Sequence, residues 1–150
     1  MTLDRYLRLP ASLFIVALCV APTMCSADSD ATFGDYIVHY NAISTNQLLP
    51  AVAKQYGIER SAKRGLLNIS VESKTGNPHT VSAEITATVG DLTGHDKPIS
   101  IRETSENGDI DYLGEFPIDA SGTFVFKVKV ATPGQQQPFV VKFSQDLVAE

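Results

Sequence analysis

An alternation of apolar and charged side chains over residues 110–130 constrains the fold more than any other feature of this chain. A period of two is typical of β-strands with one buried face and one wet face. Between the two halves, Asp119-Ala-Ser-Gly122 has the composition of a turn, because Asp can hydrogen-bond the backbone ahead and Gly accepts positive φ. The stretch therefore predicts an antiparallel hairpin whose apolar face packs against the rest of the chain. Its apolar positions are Ile110, Tyr112, Phe116, Ile118, Phe124, Phe126, Val128 and Val130.

Other segments supply further short strands bounded by turn residues. Asn107-Gly108 is the strongest hairpin signal in the chain. A short helix is predicted over residues 50–56, because Pro50 suits the first helical position and Gly57 suits the position just past the end. Strands are predicted over residues 33–41, 66–72, 80–89, 99–103, 110–118, 123–130 and 139–144.

These elements predict an all-β protein, an antiparallel seven-stranded β-sandwich of the immunoglobulin or fibronectin type III kind, with the short helix between strands 1 and 2. The Cys–Trp–Cys core of true immunoglobulin domains is absent, because the chain has no Trp. A closed barrel is the alternative. No repeat or linker-like change of composition divides the chain, so residues 28–150 are predicted to form one domain.

Residues 1–27 have the pattern of a cleaved signal peptide. Arg5 and Arg8 give a positive start, residues 11–21 form an apolar run, and Cys25-Ser-Ala27 offers small side chains for cleavage. The apolar run is shorter than the ~20 residues that span a bilayer, so a cleaved signal is favoured and an uncleaved anchor is the alternative. No membrane insertion is expected after cleavage. We therefore predict export to a bacterial periplasm.

The exported domain is predicted to be acidic and free of thiols. The whole chain has a formal net charge of −5, and both of its Cys residues lie within residues 1–27. An acidic surface argues against nucleic acid and anionic lipid as partners, since both attract Lys and Arg. The absence of Cys from residues 28–150 excludes a disulfide framework, a thiolate metal site and a cysteine nucleophile.

Three cations close together form the first candidate site. Arg60, Lys63 and Arg64 can grip a phosphate, sulfate or carboxylate, with the guanidinium groups giving bidentate contacts. The alternative is an ordinary solvated loop whose cations pair with Glu59 and Glu72.

Histidine gives the second candidate. His39, His79 and His95 can in principle hold copper or zinc, but their spacing favours three independent side chains, so no metal site is predicted. His39 is the most interesting of the three, because Tyr36 and Tyr40 flank it in a predicted strand whose two faces both carry apolar groups.

The third candidate is acidic and surrounds the Asn107-Gly108 turn. Carboxylate oxygens bind calcium, but the spacing does not match an EF-hand loop, and hairpin tips commonly carry exposed carboxylates. The acidic residues are Glu103, Glu106, Asp109 and Asp111.

Catalytic motifs are absent from the sequence. It contains no Gly-x-Ser-x-Gly elbow, no His-Glu-x-x-His and no phosphate-cradling glycine loop, so no catalytic residue and no cofactor is predicted. A triad assembled in space leaves no local signature, which keeps a hydrolase as an alternative.

Four segments together resemble a known family. They are Phe33-Gly-Asp-Tyr-x-Val-His-Tyr-Asn-Ala, Leu49-Pro-x-Val-Ala-x-x-Tyr-Gly-Ile-x-Arg-Ser-x-x-Arg, Asn68-Ile-Ser-Val and Leu113-Gly-Glu-Phe. The chain resembles a domain-of-unknown-function family of small exported proteobacterial proteins, and the resemblance implies a periplasmic single-domain protein. It carries over no catalytic residue. The positions that it singles out are His39, Tyr40, Tyr56, Arg60, Ser61 and Arg64.

These observations lead us to expect a non-enzymatic periplasmic binding module for an envelope protein or a small anionic ligand. The alternatives are a hydrolase with a spatially assembled site and a metal-binding protein that uses His39. Binding is expected near strand 33–41 and loop 58–65, where the regular alternation fails. The candidate residues are Tyr36, His39, Tyr40, Tyr56, Arg60, Ser61, Lys63 and Arg64.

Overall fold

A computed structural model describes residues 29–149, so the predicted signal peptide lies outside the described residues. The chain forms two antiparallel sheets packed face to face, with one short α-helix and one 3-10 helix (Thr45–Gln47). The elements are β1 (Asp30–Phe33), β2 (Tyr36–Ser44), α1 (Pro50–Gln55), β3 (Arg64–Ser73), β4 (His79–Thr80), β5 (Glu84–Gly90), β6 (Lys97–Ile99), β7 (Ile101–Glu106), β8 (Asp109–Pro117), β9 (Gly122–Ala131) and β10 (Phe139–Leu147).

The first sheet has the order β1-β2-β3-β8-β7, with β4 paired to β3, and the second has the order β10-β9-β5-β6. The predicted all-β antiparallel sandwich is therefore confirmed. The two sheets do not close into the barrel that was the alternative.

The core lies between the sheets and is built on aromatic rings. Phe126 is fully buried; its ring stacks on Phe143 with centroids 4.8 Å apart and meets the edge of Phe116 at 5.2 Å. Such offset and edge-on contacts between rings stabilise a core beyond the area that they bury. The apolar face predicted for residues 123–130 is thus the inner face of β9.

The predicted hairpin over residues 110–130 is wrong in its pairing. β8 belongs to the first sheet and β9 to the second, so the two strands face each other across the core and exchange no ladder hydrogen bonds. Residues 118–121 cross from one sheet to the other, and the side chain of Ile118 is buried within that crossing. Alternation shows which face of a strand is buried but not which strand lies beside it, and that is why the pattern indicated the wrong neighbour.

Residues 29–149 form ten strands rather than the seven predicted. Two of the three additional strands arise because two predicted strands are each divided. The strand over residues 80–89 is divided: β4 pairs with β3 in the first sheet, and β5 pairs with β9 in the second. The strand at 99–103 is divided at Ser100, with β6 in the second sheet and β7 in the first. The alternation continues through each switch because both sheets bury their side chains in the same core.

The third additional strand is β1. Gly34 and Asp35 form a two-residue hairpin that joins β1 to β2, and Gly34 has φ of +57°, which glycine accepts without a Cβ clash. The single strand predicted over 33–41 therefore begins at Tyr36. For the same reason the helix lies between β2 and β3 rather than between the first two strands.

A second, smaller core lies on the outer face of the first sheet, where α1 packs. It contains the buried side chains of Ala53, Ile58, Leu66 and Leu113. The helix prediction is confirmed to within one residue, since α1 spans Pro50–Gln55 and Gly57 follows with φ of +65°. This cover explains why the apolar residues near the end of β2 are not confined to one face.

Candidate functional site

The loop between α1 and β3 presents the predicted cations, and we call residues 59–64 the cationic loop. A buried threonine fixes its backbone. Thr45 Oγ1 accepts the backbone N–H of Ser61 at 2.9 Å and lies 2.9 Å from the carbonyl oxygen of Glu59 and 3.0 Å from that of Ser61. One hydroxyl carries one hydrogen, so the two carbonyls share it. Thr45 therefore tethers the backbone of the loop at Glu59 and Ser61.

Arg64 is largely neutralised by carboxylates. Its guanidinium group lies 3.0 Å from Glu115 and 3.3 Å from Glu59. The hydrogen bond to Glu115 and the charges of both carboxylates hold the pKa of Arg64 above its usual range. The predicted alternative, pairing with Glu59, therefore occurs for this residue.

Arg60 and Lys63 are exposed on the same loop, and neither lies within ion-pair distance of a carboxylate in residues 29–149. Arg60 donates one hydrogen bond of 2.7 Å to the carbonyl oxygen of Asn46. Since a guanidinium group has five N–H donors, most of them remain directed to solvent. These two side chains form a local positive charge on an acidic protein.

His39 lies on the outer face of the first sheet, away from this loop. Its Nε2 is 3.5 Å from a carboxylate oxygen of Glu72, and its ladder partners are Ser70 on β3 and Asp30 on β1. At a rise of about 3.3 Å per residue, His39 is roughly 17 Å along β2 from Ser44, where the strand ends beside the loop. The structure therefore does not bring His39 into one site with Arg60 and Lys63.

The two tyrosines that flank His39 point to the opposite face. Tyr40 is 9% exposed, and its ring lies 4.5 Å from that of Phe143. Tyr36 approaches Phe139 at 6.2 Å. Successive side chains of a strand alternate between faces, so Tyr36 and Tyr40 pack toward the core while His39 faces outward.

Tyr56 and Ser61 hold the surroundings of the cationic loop in place. The Tyr56 hydroxyl donates to a carboxylate oxygen of Glu106 at 2.5 Å, and Arg102 donates to the carbonyl oxygen of Tyr56 at 2.6 Å. The bond to Glu106 raises the pKa of Tyr56 and lowers that of Glu106. Ser61 Oγ accepts the backbone N–H of Lys63 at 3.1 Å. The two Tyr56 contacts fasten the end of α1 to the β7–β8 hairpin, and the Ser61 contact lies within the loop.

The acidic residues around the β7–β8 turn are engaged separately. Glu103 accepts hydrogen bonds from Tyr112 and Ser82 at 2.9 and 3.2 Å, and Glu106 is bonded to Tyr56. Within residues 29–149, no group of three or more His, Cys, Asp or Glu side chains is arranged to hold a metal ion.

A cavity of about 120 Å³ lies between α1 and the first sheet, and no sequence pattern indicated it. Its walls include Val52 and Leu113, and its polar lining includes Asn68 and Asp111. Burial, followed by the nearby charge of Asp109, raises the pKa of Asp111. The cavity forms only because residues distant in sequence meet.

Hydroxyl, imidazole and carboxylate groups meet in the β5–β6 loop. Thr93 Oγ1 donates to Asp91 Oδ1 at 2.5 Å and lies 2.7 Å from His95 Nδ1. In a catalytic triad the imidazole lies between hydroxyl and carboxylate, whereas here the hydroxyl lies between the other two. The hydrogen bonds from Thr93 also lower the pKa of Asp91, which makes it a poor general base. The arrangement shapes the loop.

None of the helices within residues 29–149 combines the length and the hydrophobicity that a bilayer span requires. The model of a protein family described as a domain of unknown function, DUF4426, matches residues 30–150. No match was found among curated proteins.

Solved structures share the fold. A DUF4426 family protein from Pseudomonas aeruginosa PAO1 is 34% identical to this chain, with a TM-score of 0.68, over 81% of this chain and 94% of that one. FetP of uropathogenic Escherichia coli strain F11, expressed in the periplasm of E. coli, is 13% identical with a TM-score of 0.58, over 83% and 95%. A copper-bound variant of FetP is 13% identical to this chain, with a TM-score of 0.59, over 83% of this chain and 97% of that one.

Proposed function

The chain belongs to the DUF4426 family, and on that premise we propose that it is a non-enzymatic periplasmic binding module. Its cationic loop holds an anionic group of an envelope protein or of a small ligand. The observation that carries the proposal is the pair of exposed cations, Arg60 and Lys63, on a backbone that the buried Thr45 fixes.

A fixed loop favours binding because less conformational freedom is lost when the partner arrives. Ordering a flexible loop costs free energy that is subtracted from the affinity. Here the hydroxyl of Thr45 and the bond from Arg60 to Asn46 set the loop before any ligand is present. The free N–H groups of Arg60 suit the two oxygens of a carboxylate or phosphate, and Lys63 adds a point charge.

Electrostatics gives the loop selectivity for anions. The chain as a whole carries a net charge of −5, so most of its surface repels an acidic partner. The partner is therefore guided to places where unpaired cations stand together, and Arg60 and Lys63 form such a place on the cationic loop. This predicts an affinity that falls as salt rises.

The test places a photocrosslinking amino acid at Gln47, which is exposed beside the loop, in cells that export the protein. The native protein is compared with an Arg60→Gln/Lys63→Gln variant and with a control, Lys74→Gln/Lys142→Gln, that removes two exposed cations elsewhere. The proposal expects a discrete adduct that the first variant loses and the control keeps. An adduct that survives loss of both loop cations would overturn it.

A parallel titration separates the two sources of the anion. Binding of inorganic phosphate or citrate to the purified protein, lost in Arg60→Gln/Lys63→Gln, identifies a small ligand. A protein adduct without such binding identifies an envelope partner. The absence of both a protein adduct and anion binding would contradict the proposal.

A periplasmic location is part of the proposal. It is supported by the signal-like pattern of residues 1–27, and FetP, which shares the fold, was expressed in the periplasm of E. coli. Fractionation of cells should recover the protein with periplasmic markers, shortened by about 27 residues.

A second candidate function is metal binding through His39, favoured by the surface pair of His39 and Glu72 at 3.5 Å. A FetP variant of the same fold has been obtained with copper bound. Imidazole and carboxylate together supply two ligands, and water would complete the coordination, so weak binding is expected. Calorimetric titration with copper should then give heat that His39→Ala abolishes and His79→Ala leaves intact. Equal heats from both variants would remove this candidate.

A further inference from the structure

A cavity of about 340 Å³ lies at one end of the sandwich, beside the cationic loop, and we call it the end cavity. Its wall residue Pro117 pairs with Arg64 in the β3–β8 ladder. One side is formed by the β5–β6 loop and the start of β6, and the other by residues 119–124, where the chain enters β9. It exists because β8 and β9 belong to different sheets, so their connection crosses the end of the molecule. Its volume falls in the range of ordinary small-molecule sites.

Both sides of the end cavity are fixed. The backbone N–H of Ala149 donates to Ser121 Oγ at 2.9 Å, and the N–H of Ile118 donates to the carbonyl oxygen of Lys63 at 2.9 Å. On the other side, Asp91 Oδ1 accepts from the backbone N–H of Thr93 at 2.8 Å, and Asp96 forms an ion pair with Lys127. The cavity is therefore present before a ligand arrives.

The lining combines apolar walls with two opposite charges that do not neutralise each other. Val89 and Phe124 contribute apolar surface, while Lys97 and Asp119 line opposite sides. Neither charge lies within ion-pair distance of any partner in residues 29–149. Asp91 also lines the cavity, but its carboxylate is already bonded to Thr93.

We infer that the end cavity binds a small zwitterion of the amino acid class with an aliphatic or aromatic side chain. The ligand's carboxylate pairs with Lys97, its ammonium group pairs with Asp119, and its side chain packs against Val89 and Phe124. Lys97 and Asp119 are both exposed to solvent, so the preference is electrostatic. A ligand with both charges is attracted by both groups, whereas an ion of one sign is attracted by one group and repelled by the other. The inference does not rest on the cationic loop, because Arg60 and Lys63 do not line this cavity.

Calorimetric titration of the purified protein with L-leucine and L-phenylalanine tests the ligand class. Two compounds of leucine's shape each lack one charge: 3-methylbutylamine has no carboxylate and 4-methylpentanoate has no ammonium group. We expect at least one of the two amino acids to bind with Kd below about 1 mM, and each single-charge compound to bind about tenfold more weakly or worse. Affinities of both amino acids weaker than about 1 mM, or equal affinity for the single-charge compounds, would overturn the inference.

Variants test the location. Lys97→Met should weaken binding of the amino acid about tenfold without changing the affinity for 3-methylbutylamine, which has no carboxylate. Asp119→Asn should also weaken binding of the amino acid about tenfold, without changing the affinity for 4-methylpentanoate, which has no ammonium group. Lys129→Met and Asp109→Asn, at exposed sites outside the cavity, are the matched controls. Loss of affinity in the controls equal to that in the cavity variants places the ligand elsewhere and defeats the proposal.

A blocking variant keeps the test independent of charge. Gly122 lines the end cavity and shares the inward parity of Phe124, and a Cβ built on it meets nothing within 4 Å. We therefore use Gly122→Val to place a side chain at the cavity wall. The variant should melt no lower than the native protein and should lose binding. Retained binding in a folded Gly122→Val protein contradicts the assignment.

Discussion

Thr45 Oγ1 accepts the backbone N–H of Ser61 at 2.9 Å, across 16 residues of sequence, from a position that is fully buried. This hydrogen bond joins the 3-10 helix that follows β2 to the cationic loop, so it links the segments that precede and follow α1 in the sequence. It makes the geometry of the exposed cationic loop depend on a residue that is fully buried.

Replacing Thr45 with Val should loosen the cationic loop. The substitution keeps the shape of the side chain but leaves the Ser61 N–H and two carbonyls without their partner, which costs about 1–3 kcal/mol in the free energy of unfolding. Urea unfolding measures the loss, and hydrogen exchange at the Ser61 amide should accelerate. Thr86→Val, at an exposed position of β5, is the control and should change stability by less than about 0.5 kcal/mol. Equal behaviour of the two variants would remove the role given to Thr45.

Gly65→Ala should destabilise the protein because the ring of Phe116 occupies the space of a Cβ. A Cβ built on Gly65 lies 2.2 Å from Phe116 Cζ, and that ring is 3% exposed, so it has little room to move. We expect a loss of about 1–3 kcal/mol, measured by urea unfolding. In a Phe116→Leu background the shorter side chain should reduce the cost of Gly65→Ala. A cost that is the same in both backgrounds would show that this contact is not responsible.

Local chemistry was enough to predict much of the fold. The buried faces of β9 and β10 followed from strict alternation, α1 from Pro50 and Gly57, and the β7–β8 hairpin from Asn107-Gly108. In the structure Asn107 and Gly108 have φ of 53° and 96°, as a hairpin of the I′ type requires. Each of these features is decided within a few residues.

Features decided by distant residues could not be predicted in the same way. The sheet that a strand joins depends on its neighbours, so the sequence pattern placed β8 beside β9 and missed the switch at Ser100. The same limit applies to the candidate site, where the sequence predicted the residues but not which of them meet in space. Proximity along the chain grouped Tyr40 with His39, although alternation alone puts them on opposite faces. The pairing of Arg64 with Glu115, 51 residues away, had no local signal.

Stability should respond to pH through Asp111. Burial and nearby carboxylates raise its pKa in the folded protein above the unfolded value. The contribution of this group is therefore fully present below the unfolded pKa, about 3.9, and is lost as pH rises through the raised folded pKa. Asp111→Asn stays uncharged, so it should have a higher urea midpoint than the native protein at neutral pH, with the two midpoints converging near pH ~3.5.

The control for Asp111 is Asp35→Asn, in the β1–β2 turn, where Asp and Asn serve equally well. Its urea midpoint should follow that of the native protein at both pH values. A difference between Asp111→Asn and native that does not change with pH would show that ionisation of Asp111 is not its cause.

Phe126→Ala should cause the largest loss of stability among these variants. The side chain is 0% exposed and contacts the rings of Phe116 and Phe143, which come from the two different sheets. Removing the ring leaves a cavity between the sheets and should cost about 3–5 kcal/mol in the free energy of unfolding, measured in urea. Val140→Ala is the matched control, because Val140 is 47% exposed on the neighbouring strand β10, and it should cost less than about 1 kcal/mol. A loss below about 1 kcal/mol for Phe126→Ala would mean that these rings do not join the two sheets, since truncating a fully packed aromatic side chain cannot be that mild.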